Sequence, residues 1–218
     1  MYCSGVDSTG DEYGDGAETI IKTLDRQKIK ASFFFTGKFY RNLAFRKTIA
    51  RLKKNGHYLG AHSDQHLLYC DWNNRDSTLV TRKQFNSDLI QNYEMTRLFG
   101  IKKSESVYFL PPFEWYNDTI ADWTNQLNLR LINFSPGTLS NADYTTPDMK
   151  NYRNSNEIYR SILKFEESSP SGLNGFILLL HIGTDLKRTD KFYLKLEKLV
   201  QALKNKGYAF ETVKELLH

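Results

Sequence analysis

The 218 residues predict an α/β protein whose parallel strands are covered by helices and curl into an irregular barrel of about seven strands. Three observations predict it. Short runs that are apolar on both faces alternate with segments of helical period, the pattern of a parallel sheet buried between helices. No GxGxxG or GxxxxGK[ST] loop appears, which speaks against a nucleotide-binding doubly wound sheet. The unusual polar residues fall just after the strands, where β/α barrels carry their chemistry.

Taken in order, Ala17, Ile20, Ile21 and Leu24 recur at helical spacing, and Ala31–Gly37 (ASFFFTG) reads as a buried strand. Phe45 to Asn55 is a helix with Ile49 and Leu52 inward, closed by Gly56 as a C-cap. His57–Ala61 is a short strand, and Arg82 to Phe99 is a helix ended by Gly100. Val107–Leu110 is a strand stopped by Pro111-Pro112, followed by a helix over Asp118 to Leu127 and a strand over Arg130–Phe134. Asn156 to Glu167 is helical, and Phe176–His181 (FILLLH) is the clearest buried strand. A long helix from Asp190 to Lys206, a strand at Tyr208–Glu211 and a terminal helix complete the chain. Nothing repeats or divides it, so residues 1–218 are expected to form one domain.

Composition narrows the function. The net charge is +5, but Lys and Arg are scattered over helix faces, as in Lys53, Lys54, Lys102, Lys103, Lys204 and Lys206. A solvated surface, rather than a nucleic-acid partner, is the expectation. Cys3 and Cys70 have no CxxC neighbours, which excludes a zinc ribbon and a disulfide framework. No apolar run is long enough to span a membrane, and Met1 to Gly10 lacks the layout of a signal peptide.

The strongest local signal is His62-Ser63-Asp64-Gln65-His66, directly after a strand. Two imidazoles at i and i+4 share a face if the segment turns helically, and can then share one metal ion. Asp11-Glu12 precedes the first helix and can supply a ligand and a general base, whereas Asp15 sits where a helix N-cap belongs. Two histidines, one carboxylate and an open position make the usual hydrolytic zinc site. His181 ends a buried strand and suits a general acid. Leu110-Pro111-Pro112-Phe113 is a rigid turn able to aim a backbone N–H at an oxyanion. Trp72, Arg75, Trp115, Tyr116, Asn117, Thr184 and Asp185 are equally readable as substrate surface or as rim packing.

These segments, in this order, resemble the polysaccharide deacetylases of the NodB-homology type, carbohydrate esterase family 4. Asp11-Glu12 resembles the paired acids of TFDDG, and ASFFFTG is similar to KATFFxTG. Gly56-His57 with His62–His66 resembles GHExxxHTxxH, Pro111-Pro112-Phe113 resembles RPPY, and Leu179-Leu180-His181 resembles LxH. Gly207–Val213 is similar to the closing strand. The resemblance implies a NodB-like barrel that removes acetyl groups from N-acetylated sugars of a polysaccharide. It implies a divalent metal, zinc first and Co2+, Ni2+ or Mn2+ otherwise, on Glu12, His62 and His66. Asp11 would be the base toward the metal's water, the Phe113 N–H an oxyanion donor, and His181 the acid. Asp143-Tyr144 is the best match to the Asp-Trp pair that tunes the histidine. Pro112, Trp115, Tyr116 and Asp185 would line the substrate, and the protein would work outside the cell, in the periplasm or at the cell surface. Three alternatives stay open: an O-acetyl esterase on xylan-like glycans, a non-catalytic, metal-retaining carbohydrate-binding protein, and a metal-free structural barrel. Four departures stand out: Glu12 replaces Asp, Leu110 replaces the arginine that orients the base, the Asp-Trp pair has no clean match, and Met1–Gly10 has no apolar run.

Overall fold

A computed structural model of the protein describes residues 2–5 and 14–217, with side chains from 14 onward. In chain order the elements are β1 (Tyr2–Gly5), α1 (Ala17–Gln27), β2 (Ser32–Phe35), α2 (Gly37–Arg41), α3 (Arg46–Lys54) and β3 (Tyr58–Ala61). Then come α4 (Arg82–Arg97), β4 (Tyr108–Phe109), α5 (Asp118–Gln126), β5 (Arg130–Leu131) and α6 (Ser155–Ser168). β6 (Leu179–His181), α7 (Leu196–Asn205) and α8 (Val213–Leu216) finish it. The class is α/β with parallel strands, and six strands lie among the described residues.

Two compact units make up the chain. In the unit of residues 33–133, β2, β3, β4 and β5 lie side by side in that order. β3 and β4 are parallel with Ala61 opposite Phe109, and β4 and β5 are parallel with Tyr108 opposite Arg130. Buried on both faces, β2 is almost purely aromatic, and Phe35, Phe39 and Phe45 stack in series with centroids 4.2 Å apart. The core beyond β3 gathers Tyr69, Phe85, Leu89, Tyr93, Phe109, Ile120 and Leu129. Thr81 and Gln84 form a capping box on α4, so its N-terminus is set by sequence alone. Gly56 closes α3 at φ 79°, letting the His57 N–H reach the Leu52 carbonyl.

The other unit holds β1, α1 and residues 134–217. β1 runs parallel to β6 with Ser4 opposite His181, so the chain does open with a strand, four residues long, without an apolar run to announce it. Ile20, Ile21 and Leu24 of α1 face inward at the expected period. Three expectations change here. The strand foreseen over Phe176–His181 pairs only at Leu179–His181, and Ile177 is held instead by the backbone and hydroxyl of Ser135. Tyr208–Glu211 forms no ladder: the Tyr208 N–H turns back onto the Leu203 carbonyl of α7, and its hydroxyl bonds Leu173 N and Glu166. The long helix from Asp190 begins as a 3-10 turn at Phe192–Lys195 before α7. Among the described residues no helix is long and apolar enough to cross a membrane.

Candidate functional site

The HSDQH segment leaves β3 at its C-terminal end, but it is not a helical turn. Ser63 and His66 both take left-handed backbone angles, φ 67° and 58°, so the i, i+4 face argument does not apply. The loop is shaped by α4. Asp88 accepts the Ser63 hydroxyl at 2.5 Å, the Asp64 N–H at 3.0 Å and the Gln65 N–H at 2.9 Å. One turn further along α4, Asn92 accepts the His62 N–H at 2.9 Å and donates to the Phe35 carbonyl, joining the ends of β2 and β3. Ser63 Oγ in turn accepts the His66 N–H at 3.0 Å. These bonds hold the strained backbone and leave the two imidazoles with centroids 5.0 Å apart. Burial and the Asp88 charge raise the Tyr69 phenol well above its ordinary value, so it remains a donor beside that carboxylate.

His62 Nδ1 lies 2.8 Å from the Leu110 carbonyl, which can only accept. The neutral ring therefore carries its proton on Nδ1 and keeps the lone pair on Nε2, the arrangement that orients metal-ligating histidines. Gly37 completes the support. A Cβ there would stand 1.7 Å from Asp64 Oδ1, and Asp64 is itself paired with Arg41 at 2.5 Å.

Beyond Leu110, whose side chain is fully buried, the Pro111-Pro112 turn carries Phe113 and Glu114 at φ 58° and 54°. Asn133 caps this turn through the Glu114 carbonyl. The Phe113 ring sits edge-on to His66 at 4.3 Å. Pro112 is buried within the turn, Trp115 donates its indole N–H to the Asp71 carbonyl, and Arg75 lies over the rings of Trp115 and Tyr116.

In the other unit, Asp143 grips His181 twice. Its Oδ1 is 2.5 Å from Nδ1 and its Oδ2 accepts the His181 N–H at 2.8 Å. Both groups are buried, and the Tyr144 ring lies 5.5 Å from the imidazole. Held at its ring and at its backbone, His181 has its tautomer set, with Nδ1–H toward the carboxylate and Nε2 as its basic nitrogen. Around Asp143 the chain is stapled by Arg188, fully buried, which donates to the Thr145 and Arg153 carbonyls and to Ser155 Oγ. Asp15 is not a helix cap. The cap position is Gly16, and Asp15 instead accepts from Thr184 N and the Tyr193 hydroxyl and pairs with Lys191. Asp185 accepts the Lys187 N–H within its own turn.

Thus His62, His66 and Phe113 are brought together in one unit, and His181 with Asp143 in the other. Asp11 and Glu12 lie outside the described residues. Among the described residues no group of three His, Cys, Asp or Glu side chains is placed to hold a metal ion. Two imidazoles side by side, one with its Nδ1–H fixed on a carbonyl, nevertheless suit a borderline-soft cation awaiting a carboxylate. Sequence reasoning missed Asp88, Asn92 and Arg188. Asp88 and Asn92 had a signal: two polar residues, four apart, on the inward face of α4 beside Phe85 and Leu89.

A family profile described as polysaccharide deacetylase matches residues 9–132. An uncharacterised protein of Bacillus subtilis is 26% identical over 209 residues, which is 95% of this chain and 54% of that protein, so the chain spans about half of this relative. A carbohydrate esterase family 4 pseudoenzyme from Bacillus anthracis superposes with a TM-score of 0.72 at 15% identity, covering 100% of this chain and 64% of that one. The peptidoglycan deacetylase PdaC of Bacillus subtilis gives 0.69 at 19% identity, covering 99% and 86%. With more than half its length matched by that profile, the chain belongs to the polysaccharide deacetylase family.

Proposed function

We propose that this protein is a metal-dependent hydrolase that releases acetate from N-acetylated sugars of a polysaccharide, working outside the cytoplasm. The observation that carries this reading is the histidine pair after β3, with Asp88 and Asn92 holding its backbone and the Leu110 carbonyl fixing the His62 tautomer. His62 and His66, with Glu12 as the proposed third ligand, would hold one divalent ion, zinc or else cobalt, nickel or manganese. When bound, such an ion supplies Lewis acidity, acidifying a water and polarising the acetyl carbonyl.

The chain's own residues do the rest. Asp11 is the proposed base. His181, held by Asp143 on both ring and backbone, has an oriented Nε2 from which the amine can take its proton. Asp143 stabilises the imidazolium that exists before that transfer. The turn at Phe113 offers its N–H to the developing oxyanion.

The test is acetate release from chitooligosaccharides, peptidoglycan fragments and acetylxylan, after chelation and again after zinc or cobalt is restored. Metal-restored release that disappears in His62→Ala supports the reading, and the preferred substrate separates amide from ester. One observation favours a second reading. Leu110, apolar and buried, stands where the family carries the arginine that orients its base. No release from any of these glycans, with the metal demonstrably bound, would identify a sugar-binding relative without catalysis.

A further inference from the structure

The net charge of +5 is not spread evenly along the chain. Residues 37–56 hold seven lysines and arginines and no acid, whereas the rest of the chain has 23 Lys and Arg against 25 Asp and Glu. Folding turns this segment into a face. On α3, Ile49 and Leu52 are buried, and Lys47, Arg51 and Lys54 lie opposite them at i, i+4 and i+7, with Arg46 alongside. Lys38, Arg46, Lys47 and Lys54 make no ion pair among the described residues. α1 and α4 differ, since Glu18–Lys22 and Glu94–Arg97 pair opposite charges at one-turn spacing on their exposed sides.

A face kept only for solvation would gain from the same pairing. Here like charges meet at one-turn spacing, and the first turn of α3 carries Arg46 and Lys47 with no acid, against the helix dipole. Both features destabilise the free protein, and an anionic partner relieves both. Leu43 sets the chemistry of that partner. It is 79% exposed and stands between Arg41 and Arg46 in the turn that leads into α3. The turn is firmly held. Asn42 accepts the Ala44 N–H at 2.8 Å, and the Phe45 ring stacks on buried Phe39 with 6° between planes. At the other end of α3, Lys53 Nζ donates to the Phe99 and Gly100 carbonyls, bracing a turn whose Leu98 is 67% exposed. A polyphosphate or a nucleic acid offers charge to this surface but nothing to the leucines. An anionic bilayer serves both: headgroup phosphates meet the cations, and an apolar side chain enters the boundary beneath them.

We propose that α3, with Leu43 as an apolar anchor, docks the protein on a membrane surface that contains anionic phospholipid. The proposal does not depend on the deacetylase reading, and its test measures no acetate. Cosedimentation of the full chain compares phosphatidylcholine vesicles with and without roughly 30% phosphatidylglycerol, with circular dichroism as the check on folding. Wild type should bind the anionic vesicles at least about a hundredfold more tightly, since each basic side chain near such a surface contributes about fivefold. Added salt should weaken that binding. Lys47→Gln combined with Lys54→Gln should weaken it about 25-fold, two such contributions. Leu43→Ser should weaken it about tenfold without altering the salt dependence. Inorganic polyphosphate serves as the competing probe. Polyphosphate bound as tightly as the vesicles, with Leu43→Ser unaffected toward both, would make the face a site for extended polyanions and overturn membrane docking. Equal binding to neutral and anionic vesicles, no binding to either, or wild-type affinity in the folded double variant would overturn it as well.

Discussion

At the scale of single residues, the two histidine environments make separate demands. His181 depends on one carboxylate for both its backbone position and its tautomer. Asp143→Asn keeps the shape but can present an amide N–H to Nδ1, reversing the tautomer. We expect kcat for acetate release to fall by about 10²- to 10⁴-fold with little change in melting temperature. An unaltered kcat would remove Asp143 and His181 from the proposed acid role. The third ligand is open to a direct test. Asp15 is engaged by Thr184, Tyr193 and Lys191, so Asp7, Asp11 and Glu12 are the acids between β1 and α1 left to serve as ligand and base. Competition titration with zinc should show affinity falling at least about tenfold in Glu12→Ala. If the loss appears in Asp7→Ala instead, the ligand is Asp7, which lies closer in sequence to the end of β1.

At the scale of elements, α4 acts as a jig for the loop after β3. Replacing Asp88 with Ala strands the Asp64 and Gln65 N–H groups and the Ser63 hydroxyl in a buried setting, at about 1–3 kcal/mol. If Asp88 sets the loop for metal binding, zinc affinity measured on the folded variant should also drop roughly 10- to 100-fold, as outer-shell partners typically cause. Lower stability with wild-type zinc affinity would make its role structural alone. α2 meets the same loop at Gly37, where any side chain collides with Asp64. Gly37→Ala should destabilise by about 1–3 kcal/mol in a urea melt, since the Arg41–Asp64 pair has to shift.

At the scale of the whole molecule, burial of tyrosines sets the alkaline limit. Burial raises the phenols of Tyr40, Tyr58, Tyr69 and Tyr93 above their ordinary value of 10.0. The folded chain holds these protons more tightly than the unfolded chain does. Stability is therefore complete below pH 10 and falls as pH rises above it, because the unfolded state sheds protons first. Phenolate absorbance from these residues should grow in step with loss of circular dichroism. Ionisation well before unfolding would contradict the burial argument. Zinc at a hundredfold excess over its dissociation constant should add about 2.7 kcal/mol, or roughly 5–10 °C for a chain of this size. His62→Ala should abolish that shift.

Local sequence determined the alternation of elements and the residues at strand ends. Apolar runs such as Ser32–Phe35 and the capping box at Thr81 act within a few residues of themselves, so they are legible one window at a time. The proximity of His62 and His66 was legible too, though for the wrong geometric reason. What only the tertiary structure decided depends on distant partners. The Asp88 cradle spans 24 residues, the Asp143–His181 grip 38, and the Arg188 staple 43. The contact of the Tyr208 hydroxyl with the Leu173 N–H, 35 residues away, is likewise beyond any local window. A pattern of propensities records what each segment prefers; which carboxylate reaches which histidine is settled by the packing of helices that no local pattern encodes.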